Sequence, residues 1–402
     1  MSANVFTLEA LEAAFGDSLL LHYGSPADPR LIVIDGGPKG VFRKSLGPRL
    51  KAIHQARGGG VLPIRLLMVS HIDDDHIAGL LDFTKMLRAA QDDGATLQYD
   101  VLTLWHNSFD DIVGRAGPTA AAALTAAPLK PKGGQGAAIV ASVAQGRQLR
   151  MDGDALALNM NSGFDDMIQF DASNVRALKI GAGLTFTVLG PRKAELDALE
   201  AKWDKEVKAL LAKKAKQGGK GRGGGKGTGA AVDDLAGPSL TADDRQALAA
   251  AFVDESVHNL SSVVVLAEFG GRRMLLTGDA RGDFIIESLR EAKLLKNGKI
   301  EVDILKMPHH GSVHNADVPL FKAVMADHYV FSADGTYGNP DPPTFDLLFK
   351  ARPTGKYHLW LTNDVKKAVA HVKKKKPKNV LLHVRGRNEP SVRVELGAPI
   401  TW

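Results

Sequence analysis

Apolar residues in this chain gather in short runs that stop abruptly at polar, turn-forming clusters. Leu8–Gly37 reads as strands, with Leu19–Leu21 and Leu31–Ile34 as apolar runs joined through the turn-rich Ser25–Pro29. Lys44–Arg57 has the spacing of a helix. Ile64–Val69 reads as a buried strand and Ile77–Ala90 as an amphipathic helix, so Ser70–His76 falls in a strand-to-helix turn. Val101–Trp105 is a short strand ending at His106. From Gly114 to Ala172 the pattern is of Ala-rich and polar helices, with breaks at Pro118 and across Pro128–Gly134. Leu184–Leu189 is a strand, Ala194–Lys216 a helix, and Ala242–Phe252 another helix. Ser262–Phe269 and Met274–Leu276 flank Gly270-Gly271, a hairpin signal. His309 onward gives helix, strand and helix, then strands at Val380–His383 and near Val392–Leu396. Such alternation suits a layered α/β fold of αββα type, sheets back to back and helices outside.

Three of these strands end in groups that bind metals. The first is followed by His71, Asp73, Asp74, Asp75 and His76, two imidazoles and three carboxylates within six residues. Capping and the helix dipole explain aspartates at a helix N-terminus but neither histidine. A calcium loop would need a Gly and a terminal Glu at spacings absent here. The second strand, Arg273–Leu276, runs into Thr277-Gly278-Asp279. The third, Val302–Lys306, runs into Met307-Pro308-His309-His310-Gly311-Ser312. Gly-Asp alone is an ordinary turn. The three clusters in this order are specific, because ligands in layered α/β folds bind beyond the carboxyl ends of strands.

On these motifs the chain resembles the metallo-β-lactamase-fold hydrolases, and within them the metallo-β-lactamase-like domain of the bacterial DNA-internalisation competence protein. That domain shares His-x-Asp-x-Asp-His, Leu-Thr-Gly-Asp and Pro-His-His-Gly-Ser, and openings like Gly16-Asp17-Ser18 and Ile34-Asp35-Gly36-Gly37. The likeness covers roughly Val5–Asn107 and Val257–Leu348. It implies a four-layer αββα metallo-β-lactamase sandwich holding two divalent metal ions, Zn²⁺ or Mn²⁺. His71 and Asp73 would serve one ion, Asp75 and His76 the other, with Asp279 bridging and His310 completing the shell. His106 is the candidate third ligand at the first position, and His258 a weaker one. Asp75 and His309 are the implied catalytic pair, His309 as a substrate or proton-transfer group. Ser312, His314, Asn315 and Asn339 are candidate substrate contacts. Asn339 stands in Gly338-Asn339-Pro340, where the competence family often has Gly-His-Pro, and Asn is a poor metal ligand. The implied activity is a phosphodiesterase or nuclease using a dinuclear metal-bound hydroxide. A metallo-hydrolase of a lactone, thioester or small phosphoester, or a partner-gated subunit with little activity alone, are the alternatives.

Composition narrows this reading. Zero cysteines exclude disulfides and thiolate metal sites, so any ion must use nitrogen and oxygen ligands. No apolar run approaches a transmembrane span, and the N-terminus lacks the pattern of a signal peptide, so a cytoplasmic protein with no membrane partner is expected. The +6 net charge is local: Lys202–Lys226 carries nine Lys or Arg against two acidic residues, a balance of +7 that leaves −1 for the rest. Residues 217–229 form a Gly/Lys-rich linker expected to be disordered, since such a run buries no apolar surface. We therefore expect one metallo-β-lactamase-like domain over residues 1–402, interrupted by a helical, basic insertion at 114–250. A basic arm of this kind suits nucleic acid or another phosphodiester as partner, or serves only as a solvated linker. A second basic run, Lys373–Lys378, closes a helix, where lysine is ordinary dipole chemistry.

Overall fold

In the computed structural model, which describes residues 4–108, 111–112, 135–165, 167–219, 241, 262–400 and 402, two large sheets lie face to face. The first runs in the order β16 (Ser391–Glu395), β1 (Val5–Leu11), β2 (Leu19–Ser25), β3 (Asp28–Ile34), β4 (Leu62–Met68), β6 (Thr103–Trp105), β7 (Asn159–Met160). The short β5 (Tyr99–Val101) sits beside the start of β4. The second runs β15 (Val380–Val384), β14 (Tyr357–Leu361), β13 (Val324–Phe331), β12 (Ile300–Lys306), β11 (Arg272–Leu276), β10 (Val264–Phe269), β9 (Leu184–Gly190), β8 (Ala177–Gly181). Strands β11 to β15 are parallel neighbours.

Three apolar clusters define the layers. Phe6, Leu21, Ile34 and Met68 from the first sheet meet Phe186, Val265, Met274 and Ile304 from the second, filling the space between the sheets. On the outer face of the first sheet, Leu31, Val33 and Leu67 pack on α1 (Gly47–Ala56) and α2 (Asp74–Asp92) through Leu50, Ile53, Ile77 and Phe83. Helix α3 (Gln135–Ala155) joins that layer through Leu149, while α4 (Lys193–Gly219) follows β9. The outer face of the second sheet is covered by α5 (Gly282–Glu291), α6 (Val318–Ala323), α7 (Pro342–Ala351) and α8 (Lys366–Lys375). Central strands buried on both faces need apolar runs, which β3 carries at Leu31–Ile34, β4 at Leu66–Met68 and β12 at Ile304–Leu305. The architecture is a four-layer αββα sandwich.

Several elements depart from the sequence pattern. The helix expected at Lys44–Arg57 opens with a π-helical turn, Phe42–Leu46, before α1. The strand expected at Val101–Trp105 is divided at Leu102, with β5 and β6 pairing different stretches of β4. The insertion at 114–250, read as helical apart from the strand Leu184–Leu189, supplies that strand as β9 and also β7 to the first sheet and β8 to the second. Strand β8 escaped notice because it is a half-exposed edge strand without an apolar run. Helix α4 runs on to Gly219, past the expected start of the linker at 217. The rest of that linker, Pro118 and Pro128–Gly134, the expected helix Ala242–Phe252, and His258 lie outside the described residues. The hairpin across Gly270-Gly271 is present, pairing Phe269 with Arg272. Among the described residues no helix is long and apolar enough to cross a membrane.

Candidate metal centre

The polar strand ends converge where β3, β4, β11 and β12 finish. The turn after β4 is drawn against β3 by glycines that leave no room for a side chain. A Cβ on Gly79 would fall 1.9 Å from the Gly36 carbonyl oxygen. The Gly36 N–H donates to the His76 carbonyl at 2.7 Å, and the Gly79 N–H to that of Gly37 at 3.0 Å. The first turn of α2 is thereby fixed over the end of β3. Asp73 is the helix N-cap residue, yet its side chain makes no capping hydrogen bond; its Oδ2 lies 3.4 Å from His71 Nδ1. Capping therefore does not account for the motif. Asp74 turns away and accepts from Gln145 of α3 at 2.7 Å.

Four donor atoms meet beyond these strands. His76 Nε2 lies 3.3 Å from Asp279 Oδ2, and His310 Nε2 lies 3.5 Å from the same oxygen. Asp75 Oδ2 is 3.3 Å from His310 Nε2 and 3.9 Å from His76 Nε2. Ligand atoms sharing one ion at first-row metal distances lie roughly 3.0–3.6 Å apart. Neither buried Nε2 has a hydrogen-bond partner, nor has the buried Asp279 Oδ1. Two imidazole nitrogens and two carboxylates, three of the four residues buried, fit a divalent ion of the Zn²⁺ or Mn²⁺ type.

The other nitrogen of each imidazole is anchored, which fixes the direction of Nε2. His76 Nδ1 donates to Asp35 Oδ2 at 3.0 Å, and Asp35 also accepts from the Ser70 N–H at 2.7 Å and from the Ser70 hydroxyl. His310 Nδ1 donates to the Ser332 carbonyl at 2.9 Å. A carboxylate and a carbonyl only accept, so Nδ1 carries the hydrogen in both rings and the neutral rings offer Nε2 as ligand. Asp17 belongs to the same cluster geometrically, but it faces the Nδ1 side, 3.4 Å from His310 Nδ1 and 3.9 Å from that of His76. It is paired with the buried Lys306 ammonium, which also donates to the Gly278 carbonyl at 3.3 Å. Asp17 and Lys306 are thus support for the imidazoles rather than further ligands.

The electrostatics are those of a crowded carboxylate pocket. Burial acts against charge on His76 and His310, but the carboxylates around them, Asp279 foremost, outweigh it and hold both rings well above the ordinary histidine range. Burial likewise acts against charge on Asp279, and the two imidazoles outweigh it, holding that carboxyl well below its ordinary range. Asp75 is lowered too, with burial opposed chiefly by the charges of His76 and His310. In this state protons sit where a cation would.

The remaining predicted residues fall at stated places around this cluster. His71 is buried with its ring 5.5 Å from that of His76. His106 is buried elsewhere: its Nε2 is 3.1 Å from the Gly146 carbonyl of α3, and burial pushes its pKa down to about 4. It stands outside the cluster. His309 and His310 are successive residues at φ 47° and 57°, a left-handed pair that non-glycine residues adopt only under constraint. The fold reverses the chain there so that His310 points inward while His309 stays nearly half exposed, its Nε2 3.8 Å from Asp279 Oδ2. Asn315 Oδ1 lies 3.0 Å from His309 Nδ1, and its amide donates to the Asp279 carbonyl at 3.0 Å. Asn339 donates to the His309 carbonyl at 3.3 Å. Ser312 is buried in the turn, donating its N–H to the His309 carbonyl, and His314 is exposed. Sequence reasoning missed Asp17 and Lys306 as site residues. The available signal was Lys306 itself, a lysine inside an apolar strand, which needs a buried partner.

No family model matches the chain, and no curated protein matches it. Among solved structures it is similar to the metallo-beta-lactamase fold protein YhfI from Bacillus subtilis, at 11% identity and a TM-score of 0.38 over 97% of this chain and 99% of that one.

Proposed function

We propose that this chain is a metal-dependent hydrolase of the metallo-β-lactamase type whose substrates are phosphodiesters. The observation that carries the reading is the convergence of His76 Nε2, His310 Nε2, Asp279 and Asp75, with each imidazole held from behind. The competence-type motifs favour phosphodiesters over other esters, and the basic run Lys202–Lys226 favours a polyanionic partner such as nucleic acid. A bound divalent ion would supply Lewis acidity, polarising the ester and lowering the pKa of water. The chain's own residues do the rest. Asp35, the Ser332 carbonyl and Asp17 orient the two imidazoles. The half-exposed His309, held by Asn315, presents Nε2 to the cleft, where it takes or gives a proton as a leaving group departs. His71 and Asp73 would hold a second ion.

The test is hydrolysis of a chromogenic phosphodiester by metal-reconstituted protein, with lactone and thioester substrates in parallel. Asp75→Ala and Asp279→Ala should each lower kcat at least about 100-fold while the protein remains folded. Wild-type rates in both variants would remove the metal assignment. Hydrolysis confined to the lactone or thioester would replace phosphodiesters as the substrate.

A further inference from the structure

Beside the donor cluster stands an aromatic pair that metal binding does not require. Tyr337 is 74% exposed, the most exposed large apolar side chain among the described residues. It meets Phe15 edge to face, ring centroids 4.9 Å apart at 85°. The two rings come from two different loops. Phe15 precedes Gly16 and Asp17, and the Asp17 N–H donates to the Asp75 carbonyl at 3.1 Å. Gly16 lies so close to Asp75 that a Cβ there would fall 1.9 Å from the Asp75 carbonyl oxygen. Tyr337 stands two residues before Asn339, which holds the His309 carbonyl. The Ser332 hydroxyl donates to the Gly16 carbonyl at 2.7 Å, tying the two loops together.

The loop that carries Tyr337 is braced despite its exposure. The Thr336 N–H donates to Asp334 at 2.8 Å, the Gly338 N–H to the Gly335 carbonyl at 3.0 Å, and Gly335 lies against Val365. An edge contact with Phe15 occupies at most one face of the tyrosine ring. A braced, water-facing aromatic ring on a loop tied to the donor cluster is an apolar surface prepared for a planar partner.

We propose that Tyr337, supported by Phe15, is a stacking subsite for a nucleobase carried by the substrate, its phosphate being held at the donor cluster. The proposal rests on the phosphoester reading above and names the substrate class more closely: nucleotide phosphodiesters. Stacking of a base on an aromatic side chain changes affinity by about tenfold, and tolerates any base because every base has a π face.

Calorimetric titration of Mn²⁺-loaded protein with AMP and with ribose 5-phosphate isolates the base, since both present the same phosphate. Wild type should bind AMP about tenfold tighter than ribose 5-phosphate. Tyr337→Ala should bring that ratio close to one, while Tyr337→Phe and Tyr337→Trp preserve it. Equal affinities in wild type would overturn the subsite. So would a Tyr337→Ala variant that weakens both ligands in proportion. Binding needs no turnover, so protein that prefers AMP yet cleaves no phosphodiester sinks the hydrolase reading and keeps the subsite. Cleavage without any preference for AMP does the reverse.

Discussion

Asp35→Asn is the sharpest probe of the metal centre, because it changes one atom and leaves the shape intact. The wild-type carboxylate accepts three hydrogen bonds, from the Ser70 N–H, the Ser70 hydroxyl and His76 Nδ1. It is 1% exposed, so water cannot substitute for any of them. An asparagine has one acceptor oxygen and one donor amide for these sites. If the oxygen stays on the Ser70 N–H, the amide faces His76 Nδ1, and that nitrogen can accept only by moving its hydrogen to Nε2. The ring then turns an N–H toward Asp279 instead of a lone pair. If the oxygen faces His76, two N–H groups confront each other in the core at Ser70. The second route leaves a buried donor unmade, at about 1–3 kcal/mol. The first costs metal affinity, about 10- to 100-fold for loss of a carboxylate behind a ligand histidine. Chelator competition for Zn²⁺ or Mn²⁺, run beside thermal melting, reads the two routes separately. An Asp35→Asn variant with wild-type affinity and wild-type melting temperature would refute the claim that Asp35 sets the direction of His76.

Three further outcomes follow from the structure. Glu9 is buried; desolvation opposes its charge, but hydrogen bonds from His22 and Arg49 prevail and bring its pKa from 4.5 to about 2. A lowered folded-state value means stability that is present above pH 4.5 and lost as pH falls toward 2, about 3 kcal/mol in all; Glu9→Gln should flatten that acid limb in denaturant titrations, and an unchanged limb would exclude the linkage. Lys306→Met strands the buried Asp17 carboxylate, whereas Lys306→Met with Asp17→Asn removes both charges; the single variant should lose about 3–5 kcal/mol in denaturant unfolding and the double variant clearly less. Deleting Gln217–Gly227 should leave melting temperature and the rate on a small chromogenic phosphodiester unchanged while weakening DNA or RNA binding with a shallower salt dependence, and loss of the small-substrate rate would place that segment in the active site.

The parts of the fold that sequence displayed are those whose environment is uniform. Strands β3, β4 and β12 lie between layers, so their carboxyl-terminal halves are buried and largely apolar, and the polar residues that follow stand out as strand-end chemistry. His76, Asp279 and His310 were visible for that reason. Elements with mixed surroundings were not. Strand β8 is half exposed along its length, and β5 and β6 are three residues each, too short for a period to register. The position of His106 shows a second limit. A histidine at a strand end looks the same in sequence whether it turns toward the cleft or toward a helix, and here α3 supplies the Gly146 carbonyl that captures it. Asp35 appeared only as a strand-end aspartate, because its task depends on Ser70 and His76 arriving from another strand.

Charge explains why the support behind the imidazoles includes a lysine. Asp17, Asp35, Asp75 and Asp279 crowd around two histidines, four carboxylates in a region where Asp17, Asp35 and Asp279 are buried. Without compensation such a set would be prohibitively costly to desolvate. Lys306 offsets one charge permanently, and it does so on the Nδ1 side, where its ammonium cannot block the Nε2 atoms. The remaining negative charge faces the cleft through Asp75 and Asp279. A divalent cation held there by His76, His310, Asp75 and Asp279 would take the place of the protons that the carboxylates favour on the two rings. Metal affinity should therefore fall steeply as pH drops, because protons compete at both rings. The direction is fixed by the sign of the shifts: rings held above the ordinary histidine range keep their protons to higher pH, so binding strengthens as pH rises toward and through their raised values. Isothermal titration with Mn²⁺ at pH 6 and pH 8 in buffers of different ionisation enthalpy would count the protons released. Release of none at pH 6 would mean the imidazoles are not the ligands.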